Sequence, residues 1–213
     1  MRISEKTVEL NFCKGLPLVL GRDLFWFGLT QKQEAKAGFD ACVKYGATLL
    51  LFQIKTSRIV LKNGSRRFLA EHDQMQMLRN QVKENRRVYY VLPVVGTTPE
   101  VCNGLCFSHC SRYLDVSKLP VTIPPPLAKG KAPAIIRKSN CHYIYMEMNL
   151  KMATIHSDPF EVILLSPDDL AREMQILRHG PSSKTNQESS EFDEFWSVIS
   201  RINRTGLVGA YAV

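Results

Sequence analysis

Apolar residues recur along this chain in two rhythms, one of period two and one near 3.6, and the switches between them delimit its elements. The switches come quickest between Leu29 and Val95. LTQKQEAKAG, residues 29–38, reads as a short helix closed by Gly38, the residue type that suits a left-handed cap. FDACVKY, 39–45, then reads as a strand, Gly46 turns the chain, and ATLLLFQIK, 47–55, reads as a second strand whose apolar run suits a sheet interior. A basic connection, KTSRIVLKNGSRR over 55–67, leads into FLAEHDQMQMLRNQVKENRR over 68–87, which reads as a helix, and YYVLPVV over 89–95 closes the unit as an apolar strand. A helix, two strands, a helix and a strand predict a mixed α/β core over residues 1–95, with 96–213 as an α+β extension packed on it.

Within that extension, SRYLDVSKLPVTIPPPLAKGKAPAII over 111–136 is rich in Pro and Lys and reads as an irregular surface connection. HYIYMEM and KMATIHS flank Asn149 and Leu150 as a hairpin, and FEVILLS over 160–166 reads as a further strand. Ser166 before Pro167, Asp168 and Asp169 is a helix start, and that helix runs to Gly180. PSSKTNQESS is a polar break, after which EFDEFWSVISRIN reads as an amphipathic helix with Phe192, Phe195, Trp196 and Ile199 on one face. The chain shows no internal repeat, Walker loop or dinucleotide fingerprint.

Composition narrows the function classes. At 213 residues, 45% hydrophobic and 23% charged, the chain has the makeup of a globular protein able to bury a sizeable core. No apolar run approaches the roughly 20 residues needed to span a bilayer, and no leader is visible, so a cytoplasmic protein with reduced thiols at Cys13, Cys42, Cys102, Cys106, Cys110 and Cys141 is expected. Its net charge of +8 favours a polyanionic partner. Arg58, Lys62, Arg66 and Arg67 crowd one loop beside Lys55, Arg79, Lys83, Arg86 and Arg87 are expected on the following helix, and Lys129, Lys131, Arg137 and Lys138 cluster later. Nucleic acid is therefore the leading partner class, while a homo-oligomer or a protein partner stays open.

The candidate chemistry lies where the apolar strand turns polar. Gln53 and Lys55 are two apart on one strand and so share a face, while Phe52 and Ile54 share the other. Glu34 and Asp40 add carboxylates just upstream. Carboxylate and amide oxygens suit magnesium or manganese better than zinc, and a neighbouring lysine could orient the attacking water or neutralise charge on a phosphoryl group. A second group, Cys102, Cys106 and Cys110 with His109, and Cys141 and His142 downstream, contains zinc-ligand residue types, but a stripe of thiols at every fourth position also describes a buried helix face, and packing is preferred.

Asp40, then twelve intervening residues, then Gln53, Ile54 and Lys55, resembles the PD-(D/E)xK nuclease superfamily in its Q-x-K form. That family places an acid on a first helix, an Asp on a strand and a D/E/Q-x-K tripeptide on the next strand, and the resemblance covers about Leu29 to Val95. It implies a restriction-endonuclease-like mixed sheet flanked by helices, a magnesium or manganese ion held by Asp40, Glu34 and Gln53, Lys55 acting on the water, and hydrolysis of phosphodiester bonds in DNA or, less readily, RNA. Restriction or antiviral defence would follow by analogy. Gln53 stands where the family commonly has an acid, so the rival expectation is an inactive module of the same fold that binds nucleic acid or a protein partner. A third is an interaction subunit whose basic charge is unrelated to nucleic acid.

Overall fold

The structure is a computed structural model that describes residues 3–29, 31–46, 48–57, 59–83, 85–95, 107–126, 140–155 and 160–179. Its α-helices are α1 (Glu5–Leu20), α2 (Gln31–Ala37), α3 (His72–Gln81) and α4 (Pro167–His179). Its strands are β1 (Trp26–Gly28), β2 (Ala41–Tyr45), β3 (Thr48–Ile54), β4 (Ile59–Val60), β5 (Arg66–Glu71), β6 (Arg86–Pro93), β7 (Ser111–Asp115), β8 (Cys141–Met146), β9 (Met152–Ile155) and β10 (Phe160–Ile163), and a 3-10 turn covers Val116–Lys118. They form two five-stranded sheets, ordered β1-β2-β3-β6-β7 and β10-β9-β8-β5-β4. The architecture is mixed α/β.

In the first sheet β3 and β6 run parallel, and the other neighbours are antiparallel. A parallel pair needs a crossover, and here it contains β4, β5 and α3. All seven residues of β3 are buried, as expected for a strand covered on both faces. Leu50, Phe52 and Ile54 pack with Val8, Phe12 and Leu16 of α1 and with Leu170 and Met174 of α4. Leu49 and Leu51 pack the opposite way, against Met75 and Leu78 of α3 and Phe68 and Ile144 of the second sheet. The first sheet is thus the middle layer.

Two helix starts have visible local causes. The Ser4 hydroxyl accepts from the Thr7 N–H at 3.0 Å, and Gly21, at φ 65°, closes α1 after an apolar stripe at Val8, Phe12, Leu16 and Leu20. At α4 the Ser166 hydroxyl accepts from the Asp169 N–H at 3.1 Å, while the Asp169 carboxylate accepts from the Ser166 N–H at 3.0 Å. Each side chain satisfies a backbone donor that a helix start leaves open.

The strands expected at 39–45 and 47–55, the hairpin around Asn149 and Leu150 and the strand from Phe160 are present. The helix expected over 68–87 is not one element. Phe68 and Ala70 are buried while Leu69 and Glu71 are exposed, a period of two, so this stretch completes β5. The helix occupies only His72–Gln81, and Arg86 and Arg87 open β6. The basic connection over 55–67 likewise contains β4 and the start of β5, joined at Asn63 and Gly64. The expected core 1–95 and extension 96–213 share both sheets: β7 completes the first, and β8, β9 and β10 extend the second. The polar break at 181–190 and the helix expected at 191–203 lie outside the described residues. No helix among the described residues is long and apolar enough to cross a membrane.

Gly38 has φ 80°, and a Cβ there would stand 3.3 Å from Met77 Cβ, whereas Gly46, at φ 60°, has nothing within 4 Å. Asparagine tolerates the left-handed region, so placing it at each glycine separates crowding from backbone strain. Gly38→Asn should lower unfolding free energy by about 1–2 kcal/mol in urea titrations, while Gly46→Asn should stay within roughly 0.5 kcal/mol of wild type. Equal losses at both positions would show that Met77 does not crowd the turn.

Candidate functional site

The left-handed turn at Gly38 ends α2, buries Phe39 in the core and delivers Asp40 to the mouth of the β2–β3 pair. There the Asp40 N–H donates to the Phe52 carbonyl at 2.9 Å, extending the ladder by one rung. Asp40 Oδ2 accepts two hydrogen bonds, from Gln53 Nε2 at 2.7 Å and from the Ile54 N–H at 2.6 Å. Gln53, only 2% exposed, also donates weakly from Nε2 to the Ile54 carbonyl at 3.2 Å. Its Oε1 accepts from Gln74 Nε2 of α3 at 2.9 Å. The chain therefore links Asp40, Gln53 and Gln74 in one run of amide and carboxylate groups.

Two buried atoms beside this run lack a partner among the described residues. They are the Tyr90 hydroxyl, on the β6 residue paired with Gln53, and Gln74 Oε1. A buried polar group without a hydrogen bond is costly, and Trp26 Nε1 and Arg87 Nε bear the same cost elsewhere in the first sheet.

Burial dominates the electrostatics. It pushes the Asp40 carboxyl up to about 6, against the Ile54 N–H, the Lys55 charge and the Gln53 amide, which favour the anion, and with Glu34 adding repulsion. The Glu34 carboxyl is raised by burial too, and the charges of Lys6 and Glu9 act on it in opposite directions. Lys6 lies 2.7 Å from Glu9 and 3.9 Å from Glu34. Burial disfavours the Lys6 charge, yet the hydrogen bond and charge of Glu9, with Glu34 and Asp40 beyond, raise its pKa above the ordinary value. Burial drives the Cys13 thiol up to about 12, which leaves it un-ionised and inert as a nucleophile.

Of the four residues singled out in the sequence, Asp40 and Gln53 are in direct contact. Lys55 follows β3, its N–H donating to the Val91 carbonyl at 3.1 Å, and its charge bears on Asp40. Glu34, on α2, bears on Asp40 through charge as well. The oxygens gathered here are the Asp40 carboxylate and the Ile54 carbonyl, both reached by the Gln53 NH2 group, while the Gln53 amide oxygen faces Gln74 and Glu34 acts from the margin. Among the described residues no group of three or more His, Cys, Asp or Glu side chains converges closely enough to hold a metal ion. Sequence reasoning missed Lys6 and Glu9, which α1 brings in, and Gln74 and Tyr90. The capping Ser4 and the four-residue spacing of Val8, Phe12, Leu16 and Leu20 carried the signal for α1.

The described residues of the expected basic surface lie on several elements. Arg58 lies outside the described residues, and Lys62 and Lys83 are exposed. Arg66 and Arg67 are neighbours on β5 and therefore face opposite sides of the sheet; Arg67 lies 4.8 Å over the Tyr143 ring. Arg79 Nε donates to the Leu119 carbonyl at 2.9 Å, and Arg86, 6% exposed, donates to Gln81 Oε1 at 3.3 Å. Each of these contacts joins one element of the fold to another. Lys129, Lys131, Arg137, Lys138, Cys102 and Cys106 lie outside the described residues, and Phe107–Cys110 form a turn. His142 Nε2 meets His72 Nδ1 at 2.9 Å, and burial with the neighbouring ring lowers the His142 pKa to about 4.

The Asp40 shift fixes a pH dependence. Its folded pKa lies above the unfolded value of 3.8, so between about pH 4 and about pH 6 the native state keeps a proton that the unfolded chain releases. Stability from this group is full below that window and is lost as pH rises through it. Asp40→Asn keeps an acceptor oxygen without the charge. In divalent-free buffer it should match wild type at pH 4 and exceed it by about 2–3 kcal/mol at pH 8 in chemical denaturation. A wild type that gains stability over the variant as pH rises would show that Asp40 is better solvated than its surroundings indicate.

No protein-family model matches the chain, no curated protein matches it, and no solved structure matches its fold, so a functional reading rests on this geometry.

Proposed function

We propose that the chain is a metal-dependent nuclease that hydrolyses phosphodiester bonds, with DNA favoured over RNA, at the site formed by Asp40, Gln53, Lys55 and Glu34. The observation that carries the reading is the 2.7 Å contact between Asp40 and Gln53, thirteen residues apart, at the end of a buried strand where only apolar packing is expected. Support for the PD-(D/E)xK reading comes from the order of Asp40 just ahead of β2 and Gln53, Ile54 and Lys55 at the end of its antiparallel neighbour β3, with α3 and the parallel strand β6 later in the chain.

The donor set fits magnesium or manganese. Gln53 Nε2 lies within hydrogen-bond reach of both Asp40 Oδ2 and the Ile54 carbonyl, so two hard oxygens already converge on one electropositive group. Magnesium commonly takes one or two protein carboxylates and completes its shell with water and substrate phosphate, which suits so few acids. Asp40, the Gln53 amide oxygen and the Ile54 carbonyl would hold the ion, with Glu34 beside them; the ion would supply Lewis acidity toward the phosphate and a more acidic bound water. Lys55 offers an ammonium group that orients the water or neutralises charge on the phosphoryl oxygens. The net charge of +8 draws in the polyanion. Cys13 and Cys42 are free thiols, which suits action in the reducing cytoplasm; a role in restriction or antiviral defence rests on analogy of fold.

One observation favours the second reading, an inactive module that binds nucleic acid or a protein. The Gln53 NH2 group satisfies Asp40 without any cation, as a structural substitution for a lost ligand would.

Magnesium-dependent cleavage of DNA decides between them. Under the nuclease reading Asp40→Ala abolishes cleavage with the circular dichroism spectrum intact, Lys55→Ala lowers kcat by about 100-fold or more, and Gln53→Glu retains or raises activity. Cleavage that persists in EDTA or survives Asp40→Ala overturns the nuclease reading; salt-sensitive DNA binding with no cleavage establishes the binding module.

A further inference from the structure

Gln53 now presents the wrong end of its amide for ligation. Its NH2 group faces the Asp40 carboxylate and its oxygen faces α3, where Gln74 Nε2 donates to it at 2.9 Å. An amide can exchange its ends by half a turn about its last torsion, which is broad and roughly two-fold, without moving the backbone. In the buried setting of Gln53 that turn would leave its NH2 group without an acceptor unless the partner on α3 supplies one. Gln74 carries that acceptor: its Oε1 is buried and has no partner among the described residues.

We propose that Gln74 is a positioning residue that sets the polarity of the Gln53 amide, and that the two amides turn together when a divalent cation binds at Asp40. In one arrangement Gln74 donates to Gln53 and Gln53 donates to Asp40. In the other Gln53 donates to Gln74 Oε1, and its own oxygen joins Asp40 and the Ile54 carbonyl as a ligand. The helix α3 thereby decides whether the end of β3 is a closed hydrogen-bonded corner or a cation site. This rests on the metal-dependent reading given above, but it concerns ligation and is separable from catalysis. It also accounts for a glutamine at the position where an acid would ligate directly: a neutral amide can alternate between donor and acceptor, and a carboxylate cannot.

Gln74→Glu replaces a two-ended partner by an acceptor, which draws the Gln53 NH2 group toward α3 and turns its oxygen toward Asp40. Manganese binding to the full chain, followed by electron paramagnetic resonance, should tighten about tenfold in Gln74→Glu. The added charge alone would also attract the cation, so the same substitution is made in a Gln53→Leu background, where the gain should fall below about twofold. Equal tightening in both backgrounds, or none in either, overturns the coupled turn while wild-type manganese binding that is lost in Asp40→Ala preserves the metal reading. Absence of Asp40-dependent manganese binding in both wild type and Gln74→Glu overturns both. Should Gln74→Glu fail to fold, the side-chain amide resonances of Gln53 and Gln74 in wild type provide the test. Both pairs should shift on magnesium addition, and shifts confined to residues other than these two overturn the proposal.

Discussion

Burial of β3 on both of its faces is the constraint on which the remaining structure depends. A strand with the sequence TLLLFQI cannot leave either face in water without exposing several large apolar side chains. Covering both takes α1 and α4 on one side and α3 with a second sheet on the other. The parallel return strand β6 follows from the same requirement, because a strand buried on both faces must have its backbone hydrogen bonds satisfied from both edges.

The site is where this arrangement runs out. At Gln53 the inward face of the strand becomes polar while burial continues, so the amide, the Asp40 carboxylate and the Gln74 amide satisfy one another in a region that water scarcely reaches. The cost appears in the raised Asp40 pKa and in the unpartnered Tyr90 and Gln74 oxygens. Among the described basic residues, Arg79 and Arg86 are drawn into joining elements, and strand alternation divides Arg66 from Arg67.

Much of the fold near the site was legible in local pattern. The left-handed glycine after α2, the apolar run of β3, the hairpin at Asn149 and Leu150 and the Ser166 helix start are each decided by a few adjacent residues, so a single sequence suffices to read them. That is also why Asp40 and Gln53 could be expected to meet: an antiparallel pair joined by a tight turn has its register set by the turn, which places Ala41 opposite Phe52.

What the sequence left open is what depends on partners distant along the chain. Phe68 to Glu71 has good helix formers and reads as the start of a helix, but pairing with β8, some seventy residues on, makes it a strand. The approach of Lys6 and Glu9 to Asp40 depends on how α1 packs across β3, and no local spacing encodes that. The direction in which the Gln53 amide points is decided by Gln74 on a different element, because the two ends of an amide are nearly the same shape and only a hydrogen-bond partner tells them apart. Residue types and their order therefore supplied the candidate chemistry, and tertiary packing decided which charges and dipoles surround it.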